Sequence, residues 1–193
     1  MQHTVPALVL FLASAVACSA PRSEAPEPTP VRAPAPPAVR EATLEPLVWK
    51  ATAKVHRFGD LYLASQPQAS DLNQAQADGV RCVLDFRPEA EDRGYDEGAL
   101  LSDLGVPRTI VGFASAEELT DDVFDRARAA LAELPRPLLV HCSSANRVGA
   151  VWIAYRTLDL GADLEQAVAE AKTIGLRNPA LEQRAREYVA SRR

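Results

Sequence analysis

The chain has 193 residues and a formal net charge of -5, with 24% charged and 47% hydrophobic residues. That length holds one ordinary domain with extensions, and the acidic balance leaves no basic footprint for a phosphate backbone, so nucleic acid is excluded as the expected partner. Three cysteines and three histidines without ligand spacing give no reason to expect a metal, and no cofactor motif is present.

The first element is an apolar run, Val5 to Ala17, too short to cross a bilayer comfortably and ending in Ala15-Val16-Ala17 before Cys18. This reads as a secretory signal over residues 1–17, although no Lys or Arg precedes the run. Ala-Val-Ala-Cys also resembles the lipobox of bacterial lipoproteins, in which the cysteine is lipidated after cleavage; Ala15 stands where a larger aliphatic residue is usual. The expectation is an exported protein at the periplasmic face of a bacterial membrane, meeting that membrane through a lipid on Cys18 alone. The alternative is plain secretion with Cys18 as an incidental thiol. Between Pro21 and Pro46 stand eight of the fifteen prolines. Such a segment buries too little apolar surface to fold and favours extended conformations, so residues 18–46 read as a semi-rigid tether and 47–193 as the domain.

Val55 to Ala64 reads as two short strands around Gly59-Asp60. Ser70 is placed to cap a helix through Leu72 and Ala75, closed by Gly79. Val80 to Phe86 is a nearly continuous apolar run, as buried parallel strands are. A helical stretch from Tyr95 to Leu104 ends at Gly105, and Thr109 to Val111 gives a further strand. Thr120 caps a helix carrying Val123, Phe124, Ala127 and Leu131, stopped by Pro135. A strand ending at His141, a helix from Arg147 to Leu160, and helices over 163–174 and 179–189 complete the pattern. Alternating helices and short apolar strands predict an α/β domain with a mostly parallel central sheet flanked by helices.

The segment His141-Cys142-Ser143-Ser144-Ala145-Asn146-Arg147 carries the chemistry. A strand ends at a cysteine, a polar loop turns, and a helix begins at an arginine. N–H groups at a helix start carry roughly +0.5 charge and form an anion site, a cysteine there is biased toward thiolate, and an arginine holds an oxyanion with two parallel hydrogen bonds. Cys142 and Arg147 are the candidate catalytic pair, with residues 143–146 as the anion-binding loop. His141, beside the cysteine, and Arg87, at the end of its strand, are candidate accessory residues; His141 reads equally as a packed strand-end histidine and Arg87 as one half of an ion pair with Glu89 or Glu91. Cys82, near the start of a parallel strand, lies several residues down from Cys142 and reads as a small buried hydrophobe rather than a disulfide partner.

Tyr62-Leu63-Ala64-Ser65-Gln66-Pro67, then Val83-Leu84-Asp85-Phe86-Arg87-Pro88, then the His-Cys…Arg loop stand in an order and at a spacing that resemble the bacterial phosphatase-like family related to dual-specificity phosphatases, also called beta-lactamase hydrolase-like or DUF442. The resemblance spans roughly Phe58 to Leu160. It implies the cysteine-phosphatase α/β fold, with Cys142 as nucleophile and Arg147 as anion clamp for an anionic small molecule or a phosphoprotein. Cysteine phosphatases generally place five residues between Cys and Arg; this chain places four, as rhodanese-type sulfurtransferases also do. A persulfide carried on Cys142 is therefore one alternative. An anion-binding pseudophosphatase is another, because Ala145 replaces the usual glycine, Val148 replaces the usual Ser or Thr hydroxyl, and the segment Gly112-Phe113-Ala114-Ser115 lacks the expected acidic residue. Glu118 and Asp121 are the nearest candidate general acids, although Asp121 and Asp122 equally suit the first turn of a helix.

Overall fold

The computed structural model describes residues 42–193, which belong to one compact unit. The expected signal, Cys18 and the tether as far as residue 41 lie outside the described residues. Among the described residues, no helix is long and apolar enough to cross a membrane.

A six-stranded sheet runs in the order β1-β2-β3-β6-β4-β5. Its strands are β1 (Leu44–Leu47), β2 (Val55–Phe58), β3 (Leu61–Ala64), β4 (Cys82–Asp85), β5 (Arg108–Ile110) and β6 (Leu138–His141). The β3–β6, β6–β4 and β4–β5 pairings are parallel, and the β1–β2 and β2–β3 pairings are antiparallel. Strand β1 moves the expected domain boundary: Leu44 pairs with Phe58 and Leu47 with Val55, so the folded part begins inside the stretch read as tether. Pro46 did not prevent this because β1 is an edge strand, where a missing N–H faces no neighbour.

Among the described residues six helices cover the sheet: α1 (Ala69–Ala77), α2 (Glu97–Asp103), α3 (Asp121–Glu133), α4 (Asn146–Leu158), α5 (Leu164–Ile174) and α6 (Pro179–Ser191). Side chains alternate across a strand, so neighbouring residues serve opposite layers. Leu61, Leu63, Leu84, Leu138 and Val140 join the core that contains α3 to α6. Tyr62, Ala64, Val83 and Leu139 join the smaller core with Leu72 of α1 and Leu101 of α2. A sheet apolar on both faces needs helices on both, which is why these strands read as unbroken hydrophobic runs.

Of the two caps expected, one forms and one does not. Thr120 accepts a hydrogen bond from Val123 N, and Asp163 and Asn178 cap α5 and α6 in the same way. Ser70, however, does not cap α1: the N-cap is Gln68, without a side-chain cap bond, and Ser70 falls within the first turn. The helix begins early because Asp71 is buried and accepts from Thr52 N and Thr52 Oγ1, each at 2.6 Å, fixing the first turn to the β1–β2 connection.

Helix α4 is buried at every residue from Arg147 to Thr157. Gly149 lets α5 approach it: a Cβ there would lie 2.8 Å from Leu176 Cβ and 3.0 Å from Ala171 O. The packing sets α4 against the sheet with its N-terminus at the carboxyl end of β6, where ligands of parallel sheets bind.

Candidate functional site

Cys142 follows β6 directly and is fully buried in the core beneath the loop, whereas Ser143 and Ser144 are exposed at its rim. Ala145 is buried with φ at 69°, a left-handed conformation that costs an L residue roughly 1–2 kcal/mol. It is the N-cap of α4 and offers no side-chain cap bond. Each of the other five helices carries a carboxylate in its first turn, and α4 carries none. Its first N–H groups therefore keep their positive partial charge without an internal counter-charge, facing the cysteine end of β6. The loop is braced from three sides. Gln66 N donates to Ser143 O at 3.1 Å, Asn146 Nδ2 donates to Ser144 Oγ at 3.0 Å, and Asn146 Oδ1 accepts from Arg177 N and Asn178 N. Gly175 packs under Ala145: a Cβ there would sit 2.8 Å from Ala145 Cβ.

Arg147 closes the loop. Its Nη1 donates to Glu91 Oε2 at 2.7 Å and its Nη2 to Glu91 Oε1 at 2.8 Å, a two-pronged pair, while Nη1 also reaches Phe113 O at 2.9 Å. Burial lowers the pKa of this guanidinium, but its interactions with Glu91 and Cys142 outweigh that and raise it, so it stays cationic. Glu91 is correspondingly pulled below the usual carboxylate range, first by its bond from Arg147 and then by the charges of Arg147 and Arg87. The distal edge of Arg147 is thus held by Glu91, and the same side chain interacts with Cys142.

Arg87 also ends on Glu91, its Nε donating to Oε1 at 2.8 Å, and it bonds Gln66 Oε1 and the carbonyl of Asp92. It is 5% exposed, so it is an internal brace rather than a rim residue awaiting substrate. The ion-pair alternative with Glu91 is the arrangement present, but beneath the surface.

A second charged layer lies behind the first. Asp85 and Glu97 are fully buried, and Arg93 spans them with Nη2 2.6 Å from Asp85 Oδ2 and Nε 3.1 Å from Glu97 Oε2. Arg108 Nη1 lies 3.5 Å from Glu97 Oε2. His141, also fully buried, places Nε2 3.2 Å from Glu97 Oε1 and 3.8 Å from Asp85 Oδ1. Asp85, Glu97 and His141 are close enough to share a metal ion, but Arg93 and Arg108 together already balance the two carboxylates, and their charges oppose a further cation there. Burial pushes the His141 imidazolium well below 6.5, against the upward pull of Glu97 and Asp85, so the ring is neutral at pH 7.

The two candidate general acids are engaged elsewhere. Asp121 pairs with Arg184 and lies 3.5 Å from Arg192. Glu118 Oε2 accepts from Ala114 N at 2.7 Å and so folds the 113–118 segment back on itself. Neither contact leads to Cys142. Cys82 and Cys142 are free thiols; Cys82 pairs in register with Leu138, four residues before Cys142, and is a buried hydrophobe as expected. Cys18 lies outside the described residues.

The sequence matches no family model and no curated protein. Among solved structures the chain is similar to P. aeruginosa TpbA at 24% identity and a TM-score of 0.60, over 78% of this chain and 91% of that one. It is similar to a DUF442 protein of Shewanella putrefaciens at 16% identity and a TM-score of 0.60, over 73% and 94%. A third is the core catalytic domain of the PP-IP phosphatase SIW14 of S. cerevisiae, at 19% identity and 0.54, over 67% and 81%. The fold is that of the cysteine phosphatases. TpbA in a Cys-to-Ser form is in complex with pTyr, and the SIW14 domain with citrate.

Sequence reasoning gave no site role to Gln66, Asp85, Arg93 or Glu97, and named Glu91 only as one of two ion-pair partners for Arg87. One signal was available: Asp85 is the lone charge in an apolar strand, and a buried charge requires a partner. Glu91 carried no such mark, since a polar stretch such as 89–97 conceals which carboxylate turns inward.

Two predictions follow from these contacts. Glu91→Ala leaves Arg147 and Arg87 short of acceptors, and denaturant unfolding should show a loss of ~1–3 kcal/mol; an unchanged midpoint would show that the pair contributes nothing. His141 has a depressed folded-state pKa, so its contribution to stability is fully present above its unfolded value of 6.5 and is lost as pH falls below it. In a His56→Gln background, which removes a histidine shifted the same way, stability should fall between pH 7.5 and 5.5 by at most ~1.4 kcal/mol per pH unit. A flat profile would place a titrating, solvated ring at position 141.

Proposed function

We propose that the chain is an exported phosphatase-like hydrolase that uses Cys142 as nucleophile and Arg147 as oxyanion clamp on a phosphorylated substrate. The observation that carries this reading is the meeting of a strand-end cysteine, a helix start with neither cap nor carboxylate, and an arginine beside the sulfur whose distal edge is anchored by Glu91. The fold shared with TpbA and the SIW14 domain supports it.

The Cys142 thiolate attacks phosphorus in line with the leaving oxygen; the P–O bond breaks as the S–P bond forms. Arg147 and the N–H groups at the start of α4 hold the equatorial oxygens and stabilise the charge that accumulates there. Water then attacks the cysteinyl phosphate, the S–P bond breaks, and inorganic phosphate leaves with the thiolate restored. With Asp121 and Glu118 engaged elsewhere and Glu91 ionised, the leaving oxygen takes its proton from solvent, so turnover depends on how well that oxygen carries negative charge. The same observation supports a second reading, an anion-binding module with weak catalysis.

Aryl phosphates with acidic phenols should be hydrolysed at least about a hundredfold faster than alkyl phosphates, the size of contribution a general acid usually makes. Cys142→Ser should abolish release, and mass spectrometry of the quenched wild-type enzyme should find phosphate on Cys142. Thiocyanate formed from thiosulfate and cyanide would replace this reading with sulfur transfer on Cys142, and phosphate binding without turnover would favour the binding module.

We also propose that residues 1–17 direct export and that Cys18 carries the lipid anchor at the periplasmic face, with the Pro-rich segment as spacer. Full-length protein expressed in a Gram-negative host should partition with membranes and release soluble on Cys18→Ser; a soluble wild-type protein would reduce the signal to simple secretion.

A further inference from the structure

Resting on the anion-cradle reading of the loop, the structure assigns Lys54 and Arg177 as a contact for a second phosphoryl group, a few bonds from the one held over Cys142. Around the loop, Arg87 and Arg147 share Glu91, and Arg93 and Arg108 share Asp85 and Glu97, with Glu89 also on Arg108, so each of those four cations is paired with at least one carboxylate. Lys54 and Arg177 are not. Lys54 Nζ donates to Ser144 O at 3.3 Å, and Arg177 Nη1 to the carbonyls of Lys172 and Leu176; neither pairs with a carboxylate among the described residues. An ammonium has three donors, and Ser144 O takes one.

Their placement is built, not incidental. Gly175 is the pivot: a Cβ there would come within 3.2 Å of Lys54 Cδ, 3.2 Å of Ser144 O and 2.8 Å of Ala145 Cβ. With φ at 147°, the position also disfavours any side chain. The bare backbone of Gly175 therefore lets the Lys54 stem lie across to the Ser144 rim. Arg177 follows two residues later, and its N–H is tied to Asn146 Oδ1 at 2.6 Å. Lys54 Nζ is thereby attached to the 144–146 side of the loop, and the backbone of Arg177, though not its guanidinium, is attached to the same side. A shallow depression lined by Lys54, Ser65, Gln66, Ser143 and Ser144 opens on the same side. Two uncompensated cations match a dianionic phosphate better than a carboxylate. Their closeness to the loop requires a compact, multiply phosphorylated small molecule.

The test is calorimetric titration of the full-length Cys142→Ser protein with inorganic phosphate and with pyrophosphate. Pyrophosphate should bind about tenfold more tightly, a gain of two exposed ion pairs at about threefold each. Lys54→Gln and Arg177→Gln should each reduce that ratio about threefold, and the double variant should bring it near one. Should Arg177→Gln not fold, Lys54→Gln alone still decides. A preference for pyrophosphate that survives these changes, or equal binding of the two anions by the parent protein, overturns the assignment of Lys54 and Arg177 while the cradle stands. Binding of neither anion to folded protein overturns the cradle reading, and this inference falls with it.

Discussion

Helix α4 has no solvent face between Arg147 and Thr157, and much of the molecule is arranged around that fact. A helix buried all round must be packed by sheet on one side and by other helices elsewhere. Leu61, Leu63, Leu138 and Val140 supply the sheet side, and α5 and α6 supply much of the rest. The two arginines it carries into this environment need acceptors brought to them. Arg156 finds Glu170, whose carboxylate also accepts from Trp152 Nε1 at 2.9 Å, and so fastens α4 to α5. Arg147 finds Glu91 and Phe113 O, and so fastens the start of α4 to the segments after β4 and β5. The bonds that hold Arg147 and the packing of the central helix are one set of contacts.

The charges behind the loop form two layers with different tasks. Near the rim, Glu91 takes bonds from Arg87 and Arg147, fixing the guanidinium that closes the loop. Beneath it, Arg93 bridges Asp85 and Glu97, and neutral His141 lies against them. Buried ion pairs are weak contributors to net stability because desolvation offsets their attraction, but removing one partner is costly. Such a layer resists rearrangement more than it lowers the free energy of folding. It holds the ends of β4 and β6 in place, and Cys142 follows from β6.

The shortened loop fits without glycine at its turn because strain at one residue is accommodated by another. Ala145 takes the left-handed conformation, and its methyl group has room because Gly175 has none. The pair is separated by thirty positions in the chain and meets only through the packing of α4 on α5. Sequence inspection could therefore see an unfavourable alanine but not the glycine opposite it.

Five of the six strands, five of the six helix starts, the cysteine at a strand end and the arginine opening a helix were legible in the chain by itself. These depend on local periodicity, on caps that act within one turn, and on apolar runs whose burial needs no partner to be named. Ser70 was misread because Asp71 answers to Thr52, a residue 19 positions away. The same distance effect hid the site's surroundings. That Glu91 rather than Glu89 turns inward, that Arg87 is a brace, and that Asp121 serves α6 were decided only in the tertiary structure. A carboxylate's role is set by the cations that reach it, and those come from other elements. The sequence by itself determined a polar loop between a strand-end cysteine and a helix-opening arginine. Only the folded chain decided which charges are paired around it, because pairing is a matter of distance in space.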